Sequence, residues 1–512
     1  MNNGLFRRLV LSSLDRVERV GNRLPDPITL FAILIALVMI ASWIASVTGV
    51  AAVHPGTQES IQPVNLFSAE QIQRILAEMP QTFAAFPPLG LVLVVMLGIG
   101  VAERSGLIET GLRAFVGSVP PKLVTATIVF AGMLSSLAVD AGYVVLIPLG
   151  AVIFHSVGRH PLAGLAAAFA GVSGGFSANL FLTSLDPLLA GFTTPAAQIL
   201  DPTYVVQPTA NYYLMAVLVP VFTIAGTFVT EKILEPRLGT YVPADGEEVG
   251  AAEELTDDQR RGLRVAGIVA LLVLAAFAAL VVPENGVLRD PEGTTLVEQI
   301  GPFLRSIVAL MLILFFLPGL AYGIVTRTIR SDRDVAAMTS ETMGTMGAYI
   351  VLAFVAAHLV AFFGWSNLGV ITAIGGAGFL QSIGFTGIPL IVAFVLVSAT
   401  LNIFIGSASA KWAIMAPVFV PMLMILGYSP EVTQAAYRIG DSVTNILTPL
   451  LPYFPLVIVF AQKYDKDVGI GTIISAMLPY SIAFAIVGIG TLVAWLLTGL
   501  PVGVGAPIEY IQ

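Results

Sequence analysis

GVSGGFSANLF, residues 171–181, and RIGDSVTNILTP, residues 438–449, are two polar stretches set in apolar surroundings. Their relationship decides the fold. Sliding the chain against itself at an offset of 269 pairs Pro148 with Pro417, Gly158 with Gly427, Pro161 with Pro430, Ala166 with Ala435, Ala167 with Ala436, Gly171 with Gly440 and Ser173 with Ser442. After a two-residue gap, SAN at 177–179 falls against VTN at 443–445, so Asn179 meets Asn445. The same register sets SSLAVDAGYVVLIP (135–148) beside IFIGSASAKWAIMAP (403–417). Each copy therefore reads as a tight apolar hairpin followed by an interrupted span.

The surroundings are those of a polytopic membrane protein. Of the 512 residues 56% are hydrophobic and 11% charged, whereas a soluble domain carries about 25% charged residues. One run of 69 residues, Thr342 to Ala410, holds no Asp, Glu, Lys or Arg. β-barrel alternation is absent, so the spans are helices. With no cysteine, disulfides, iron–sulfur clusters and thiol chemistry are excluded. The net charge of −8 is spread through loops rather than blocked, and implies no nucleic-acid partner.

Lys and Arg orient the spans. Arg7, Arg8, Arg16, Arg19 and Arg23 precede the uncharged segment Ile28–Val50, an uncleaved first span that leaves the cytoplasm. Residues 83–102 return to a loop with Arg104, Arg113 and Lys122. A block at about 123–154, with Asp140 at its centre and basic flanks on both sides, reads as a re-entrant hairpin. Spans at 161–195, 212–230, 265–283, 304–325 and 342–363 follow, then a second hairpin at 387–426 entered from outside, a span at 430–462 and a last one at 471–498. The expected fold is an all-α inverted-repeat secondary transporter with nine transmembrane helices, two re-entrant hairpins and broken helices, because an odd number of spans separates the copies.

Five regions result: 1–82, with the first span and an external segment; 83–211, the first repeat; 212–340, connecting spans that serve as scaffold or dimer contact; 341–466, the second repeat; and 467–512, the last span. Segments 51–82, 231–264 and 283–303 read as connections carrying at most short surface helices. DQRRGLR, 258–264, reads as a solvated loop that sets orientation.

Glycine at the density of residues 171–181 unwinds a helix, and freed backbone groups in hydrocarbon cost several kcal/mol each unless satisfied. A bound ion can satisfy them. Arg438 and Asp441 stand one turn apart, just ahead of Thr444, Asn445 and Pro449. Ionised groups at this depth cost at least about 2.5–3.5 kcal/mol on insertion scales, so they read as functional, or as a mutually satisfied pair bracing the break. At the tip of the second hairpin, Ser407 and Ser409 add hydroxyls and Asn402 an amide oxygen to free helix amides. Such a tip can hold a carboxylate and a hard cation, and oxygen ligands without His or Cys suit Na⁺. The candidate Na⁺ ligands are Ser177, Asn179, Asn402, Asp441, Thr444 and Asn445. Lys411 is open between snorkelling toward water and a place in the site. Trp412 either stacks on an aromatic substrate or fills the hairpin. Asp140 and Asp186 are candidate proton carriers, and His358 reads as a packing residue.

VDAGYVVLIPLGAVIFHSVGRHPLAGLAAAFAGVSGGFSANLF, GSASAKWAIMAPVFVPMLM and AAYRIGDSVTNILTP closely resemble the AbgT family, within the wider ion transporter superfamily. These are aminobenzoyl-glutamate transporters that also include exporters of sulfonamide antimetabolites. The resemblance runs through nearly the whole chain. It implies a homodimer in the bacterial inner membrane, in contact with lipid, that moves an aromatic amide of glutamate or a sulfonamide against H⁺ or Na⁺, with no organic cofactor. It places function at Asp186, Trp412, Pro430, Arg438 and Asp441, and sets Asn179 and Asn402 where related ion-coupled transporters hold Na⁺. On that reading Arg438 grips a carboxylate in bidentate fashion, Trp412 stacks on the benzoyl ring, and Asp441 or Asp186 carries the coupling ion. The alternatives are a Na⁺-coupled importer of another dicarboxylate, an ion channel and an intramembrane aspartyl protease. A GxGD protease motif is missing, since Arg438 stands where that motif requires glycine.

Overall fold

A computed structural model describes residues 27–53, 60–117, 120–137, 142–241 and 255–511. Among the described residues one small sheet pairs Ala52–Val53 with Ser60–Ile61, antiparallel, Ala52 facing Ile61. The rest is helix, turn and loop.

Among the described residues nine helices are long and apolar enough to cross a bilayer. Seven match continuous spans expected from hydropathy: Pro27–Thr48, Ala69–Arg104, Tyr212–Leu238, Asp257–Val281, Ile307–Thr326, Gly347–Trp365 and Ile470–Thr498. The other two, Gly387–Phe404 and Ala408–Ile425, are the arms of the second hairpin. The interrupted spans stand beside these. The first runs Pro161–Phe169, closes with a π-helical turn Ala170–Gly174, breaks, and resumes as Leu185–Ala197. The second runs Pro430–Thr444, breaks, and resumes as Phe454–Gln462. The first hairpin comprises helix Val124–Leu134, a short 3-10 turn Ser135–Leu137, and then Gly142–Ser156. Its tip, with Asp140, lies outside the described residues.

The repeat is visible in how elements start and pack. Pro161 and Pro430, paired in the sequence register, each open a helix at its first position, where a missing N–H costs nothing. The preceding residue caps each one: His160 Nδ1 accepts from Leu162 N and Ser429 Oγ from Val432 N, both at 3.2 Å. Gly171 and Gly440, also paired, let each broken span lie flat against the first arm of its own hairpin. A Cβ on Gly171 would come within 2.4 Å of the Val129 carbonyl, and one on Gly440 within 2.3 Å of the Val395 carbonyl. Small residues at such crossings are the usual means of close helix approach in lipid.

The copies interlock. Leu185–Ala197 packs on the second arm of the second hairpin, and Phe454–Gln462 packs on the second arm of the first. The closing spans of the two copies, Tyr212–Val229 and Ile470–Thr498, lie against each other, with Phe222 and Phe484 stacked at 4.6 Å. At the centre of this arrangement every residue from Pro430 to Val443 is buried. By contrast Asp257–Val281 turns Ile268, Leu271 and Leu272 outward.

Three expectations need correction. DQRRGLR is not a loop: it opens the helix Asp257–Val281, whose start is fixed by a capping box between Thr256 and Gln259. The segment 51–82 contributes a full amphipathic helix, Ala69–Ala84, running on toward Pro87–Arg104. A further apolar helix, Leu368–Ser382, fills what hydropathy left as a connection between the span ending near 363 and the second hairpin.

Candidate transport site

The tip of the second hairpin is the extended stretch Ile405–Ser407 between the two arms. Ser407 caps the second arm, its Oγ accepting from Ala410 N at 3.3 Å and lying 3.3 Å from Ser409 Oγ. The helix N-terminus therefore presents Ala408 and Ser409 to a cavity of about 720 Å³ between the copies. From the first copy the cavity is lined by Ser136 and Leu137 beside the hairpin tip, and by Phe176 and Ser184 in the break. Tyr453, the last residue of the second break, and Tyr349 complete an aromatic lining. At its far end stand Glu103, Arg104 and Thr342. That end is the one the basic loop marks as cytoplasmic. There Arg104 holds Glu341 at 2.5 Å and Thr342 Oγ1 at 3.0 Å. Thr342 and Thr345 of the lining belong to the polar helix Asp332–Thr345, whose first turn is tied down by Asp334. Its carboxylate accepts from the Arg330 and Ser331 amides at 2.8 Å each, which holds it below the usual carboxylate range.

Behind the cavity wall lie four buried ionisable side chains, and their pairing differs from the expected one. Arg438 and Asp441 do not brace each other. Arg438 Nη1 donates to Asp186 Oδ1 at 2.6 Å and Nη2 to the Ser177 carbonyl at 3.4 Å, so it ties the second broken span to both edges of the first break. The other oxygen of Asp186 accepts from Thr183 N at 2.6 Å and Thr183 Oγ1 at 3.0 Å, at the N-terminus of the resumed helix. Asp441 instead pairs with Lys411, which does not snorkel: it is 1% exposed. Lys411 Nζ also donates to Asn402 Oδ1 at 2.5 Å and to the hairpin-tip carbonyl of Ile405 at 3.5 Å.

These pairings revise several assigned roles. Both terminal nitrogens of Arg438 face Asp186 and the broken backbone while its Nε is buried without a partner, so the expected two-nitrogen grip on a substrate carboxylate is not available to it here. Trp412 is fully buried, stacked on Tyr437 at 4.4 Å, and donates to Thr193 Oγ1 at 2.9 Å; it fills the hairpin rather than facing an aromatic ligand. Thr193 Oγ1 in turn lies 2.5 Å from Gln434 Oε1, so this tryptophan latches the two copies together. Pro430 is the helix-opening residue described above and stays outside the cavity lining. The Na⁺ ligands predicted in the second copy are already committed. Asn402 Oδ1 and Asp441 Oδ1 accept from Lys411, Asn402 Nδ2 donates to Asn445 Oδ1 at 2.9 Å, and Thr444 Oγ1 lies 3.0 Å from both Asn402 Nδ2 and the Ala399 carbonyl.

The first copy differs. Asn179 Oδ1 accepts from Ser136 Oγ at 2.7 Å, joining break and hairpin. The Ser177 hydroxyl is buried with no hydrogen-bond partner, and that of Ser173 is buried beside the Tyr143 hydroxyl without a hydrogen bond of normal geometry. Of the predicted site residues only Ser409 lines the cavity directly. Ser136, Phe176, Ser184, Tyr349 and Tyr453 were not singled out, although Ser136 and Phe176 lie within the quoted repeat stretches. His358 is buried, with Nδ1 2.7 Å from the Phe354 carbonyl within its own helix and Nε2 without a hydrogen-bond partner.

Comparison with known proteins agrees with this architecture. The family model for the AbgT putative transporter family matches residues 12–510. The p-aminobenzoyl-glutamate transport protein of Escherichia coli (strain K12) is 43% identical over 489 residues, which is 96% of this chain and 95% of that protein. The Neisseria gonorrhoeae MtrF structure, described as illuminating a class of antimetabolite efflux pumps, superposes with a TM-score of 0.91 at 49% identity, covering 96% of this chain and 100% of that one. The Alcanivorax borkumensis YdaH transporter, described as having an unusual topology, superposes with a TM-score of 0.89 at 41% identity, covering 94% of this chain and 100% of that one. A match this long, in sequence and in shape, shows that the chain belongs to the AbgT putative transporter family, multi-pass proteins of the bacterial inner membrane.

Proposed function

We propose that the chain is a secondary carrier that moves an aromatic, carboxylate-bearing small molecule through the cavity between its two copies by alternating access, driven by a proton or sodium gradient. The substrate class is an aminobenzoyl-glutamate-like folate catabolite or a sulfonamide antimetabolite, in line with what the relatives' names state of those proteins. The observation that carries this reading is the cavity itself. Its volume of about 720 Å³ falls in the range of about 300–1,000 Å³ typical of small-molecule sites. Its lining sets Phe176, Tyr349 and Tyr453 for an aromatic ring beside Ser136, Ser184 and Ser409 for polar groups. A carboxylate is favoured at the N-terminus of Ala408–Ile425, where the helix dipole and the free amides of the first turn face the cavity. Arg438 then serves the carrier by holding the first break rather than by touching substrate.

For a coupling Na⁺ the candidate position is the first break. There Asn179 joins the first hairpin, and the buried hydroxyls of Ser173 and Ser177 have oxygen to offer. Two copies of the chain as a homodimer are in keeping with the outward apolar face of Asp257–Val281.

The test is flux in proteoliposomes. Labelled p-aminobenzoyl-glutamate and a labelled sulfonamide are each offered while proton and Na⁺ gradients are imposed separately. The proposal expects saturable, gradient-dependent flux of at least one of them, reduced about tenfold or more in kcat/KM by Tyr453→Ala, a loss of about 1.4 kcal/mol. Flux that rises linearly with concentration, or none for either compound under either gradient, overturns it.

A further inference from the structure

We infer that Lys411 supplies, as an ammonium, the resident cation of the second copy, and that the residue at 411 decides whether this copy can bind Na⁺. The inference rests on the carrier reading for its purpose, though not for its geometry. Around Lys411 Nζ stand a carboxylate oxygen of Asp441, the amide oxygen of Asn402 and the backbone carbonyl of Ile405 at the hairpin tip. Three hard oxygens, one of them charged, at a helix break are the kind of set that takes a small hard cation. An ammonium has three donors and no acceptor, so three such oxygens saturate it. The side chain is 1% exposed, so the ammonium is held within the protein rather than in water.

The copies are unequal in just this respect. The register that pairs Gly171 with Gly440 sets Gly142 opposite Lys411 and Val172 opposite Asp441. At those two positions the first copy therefore has neither a cation nor a carboxylate, and among its described residues the buried hydroxyls of Ser173 and Ser177 are not tied up in a hydrogen bond of normal geometry. The second copy has its charge already balanced. Every ionisable group packed around Lys411 fits this account: Asp441 is its partner, Tyr437 OH lies 3.5 Å from the same carboxylate oxygen, and Arg438 is committed to Asp186 on the neighbouring element. While Lys411 is charged, a sodium ion entering this cradle meets a like charge at the position it would occupy.

The test uses purified full-length protein in detergent, its melting followed at constant ionic strength as Na⁺ replaces choline. No substrate is needed, so failure of the substrate assignment leaves this test intact. Lys411→Ala leaves Asp441, Asn402 and the Ile405 carbonyl facing a gap that Na⁺ can fill. It is expected to gain a saturable, Na⁺-dependent rise in Tm of several degrees beyond whatever response the intact first break gives the wild type over the same titration. Adding Asp441→Asn to that variant abolishes the gain. A Lys411→Ala protein recovered only when Na⁺ is present supports the proposal equally. The proposal is overturned if Lys411→Ala folds and responds to Na⁺ no more than the wild type. The same holds if it cannot be recovered in either salt while the charge-neutral double variant can, or if the wild type already shows a Na⁺ response that Asp441→Asn removes.

Discussion

Asp186, Lys411, Arg438 and Asp441 place two negative and two positive side chains in one buried core. A pair between Arg438 and Asp441, adjacent on their helix, would leave Lys411 and Asp186 without counter-charges. The observed pairing neutralises all four. Breaking one partner of a buried pair costs about 3–5 kcal/mol, whereas removing both costs far less. Arg438→Met is therefore expected to lower the melting temperature of the purified protein sharply, and Asp186→Asn combined with Arg438→Met to recover most of that loss. If the two substitutions simply add, the pair is not coupled as described. The identity of these residues as special was legible in the sequence, because charge in a hydrocarbon-length run stands out. Their partners were not: Asp186 and Arg438 lie 252 positions apart, and helical spacing speaks only for neighbours on the same helix.

The two hairpins and two broken spans were legible at the level of elements for a related reason. Glycine clusters, prolines and a repeated register interrupt apolar runs, and in lipid an interrupted helix must be rescued by something nearby. Less visible were the helices that are polar or short. Asp332–Thr345 and Ala69–Ala84 carry too many polar residues to register by hydropathy, and Leu368–Ser382 falls below spanning length. The crossings of broken spans on hairpins depend on Gly171 and Gly440, where a Cβ meets backbone well inside contact distance. Gly440→Ala is expected to destabilise the protein by about 1–3 kcal/mol through overpacking. Gly375→Ala, in a helix where an added Cβ meets nothing within 4 Å, is a control expected to be neutral or slightly stabilising. Detergent melting curves decide between them, and equal behaviour of the two variants contradicts the proposed crossing.

For the whole molecule the account rests on two interlocked copies enclosing a cavity whose lining includes the exposed Arg104. The convergence of both hairpins on that cavity followed from the repeat. Which side chains line it did not, because lining is set by contacts between copies rather than within either. Carriage requires the cavity to face one side of the membrane at a time. The chain has no cysteine, so a single introduced thiol is read without background. The most direct measurement places cysteine at Leu188 or Ser409, both in the lining, and labels it with membrane-impermeant reagents from each side in oriented vesicles. The account predicts labelling from the cytoplasmic side alone at rest, and labelling from the opposite side that emerges only when substrate and an ion gradient drive turnover. Labelling from both sides at rest, unaffected by turnover, contradicts it.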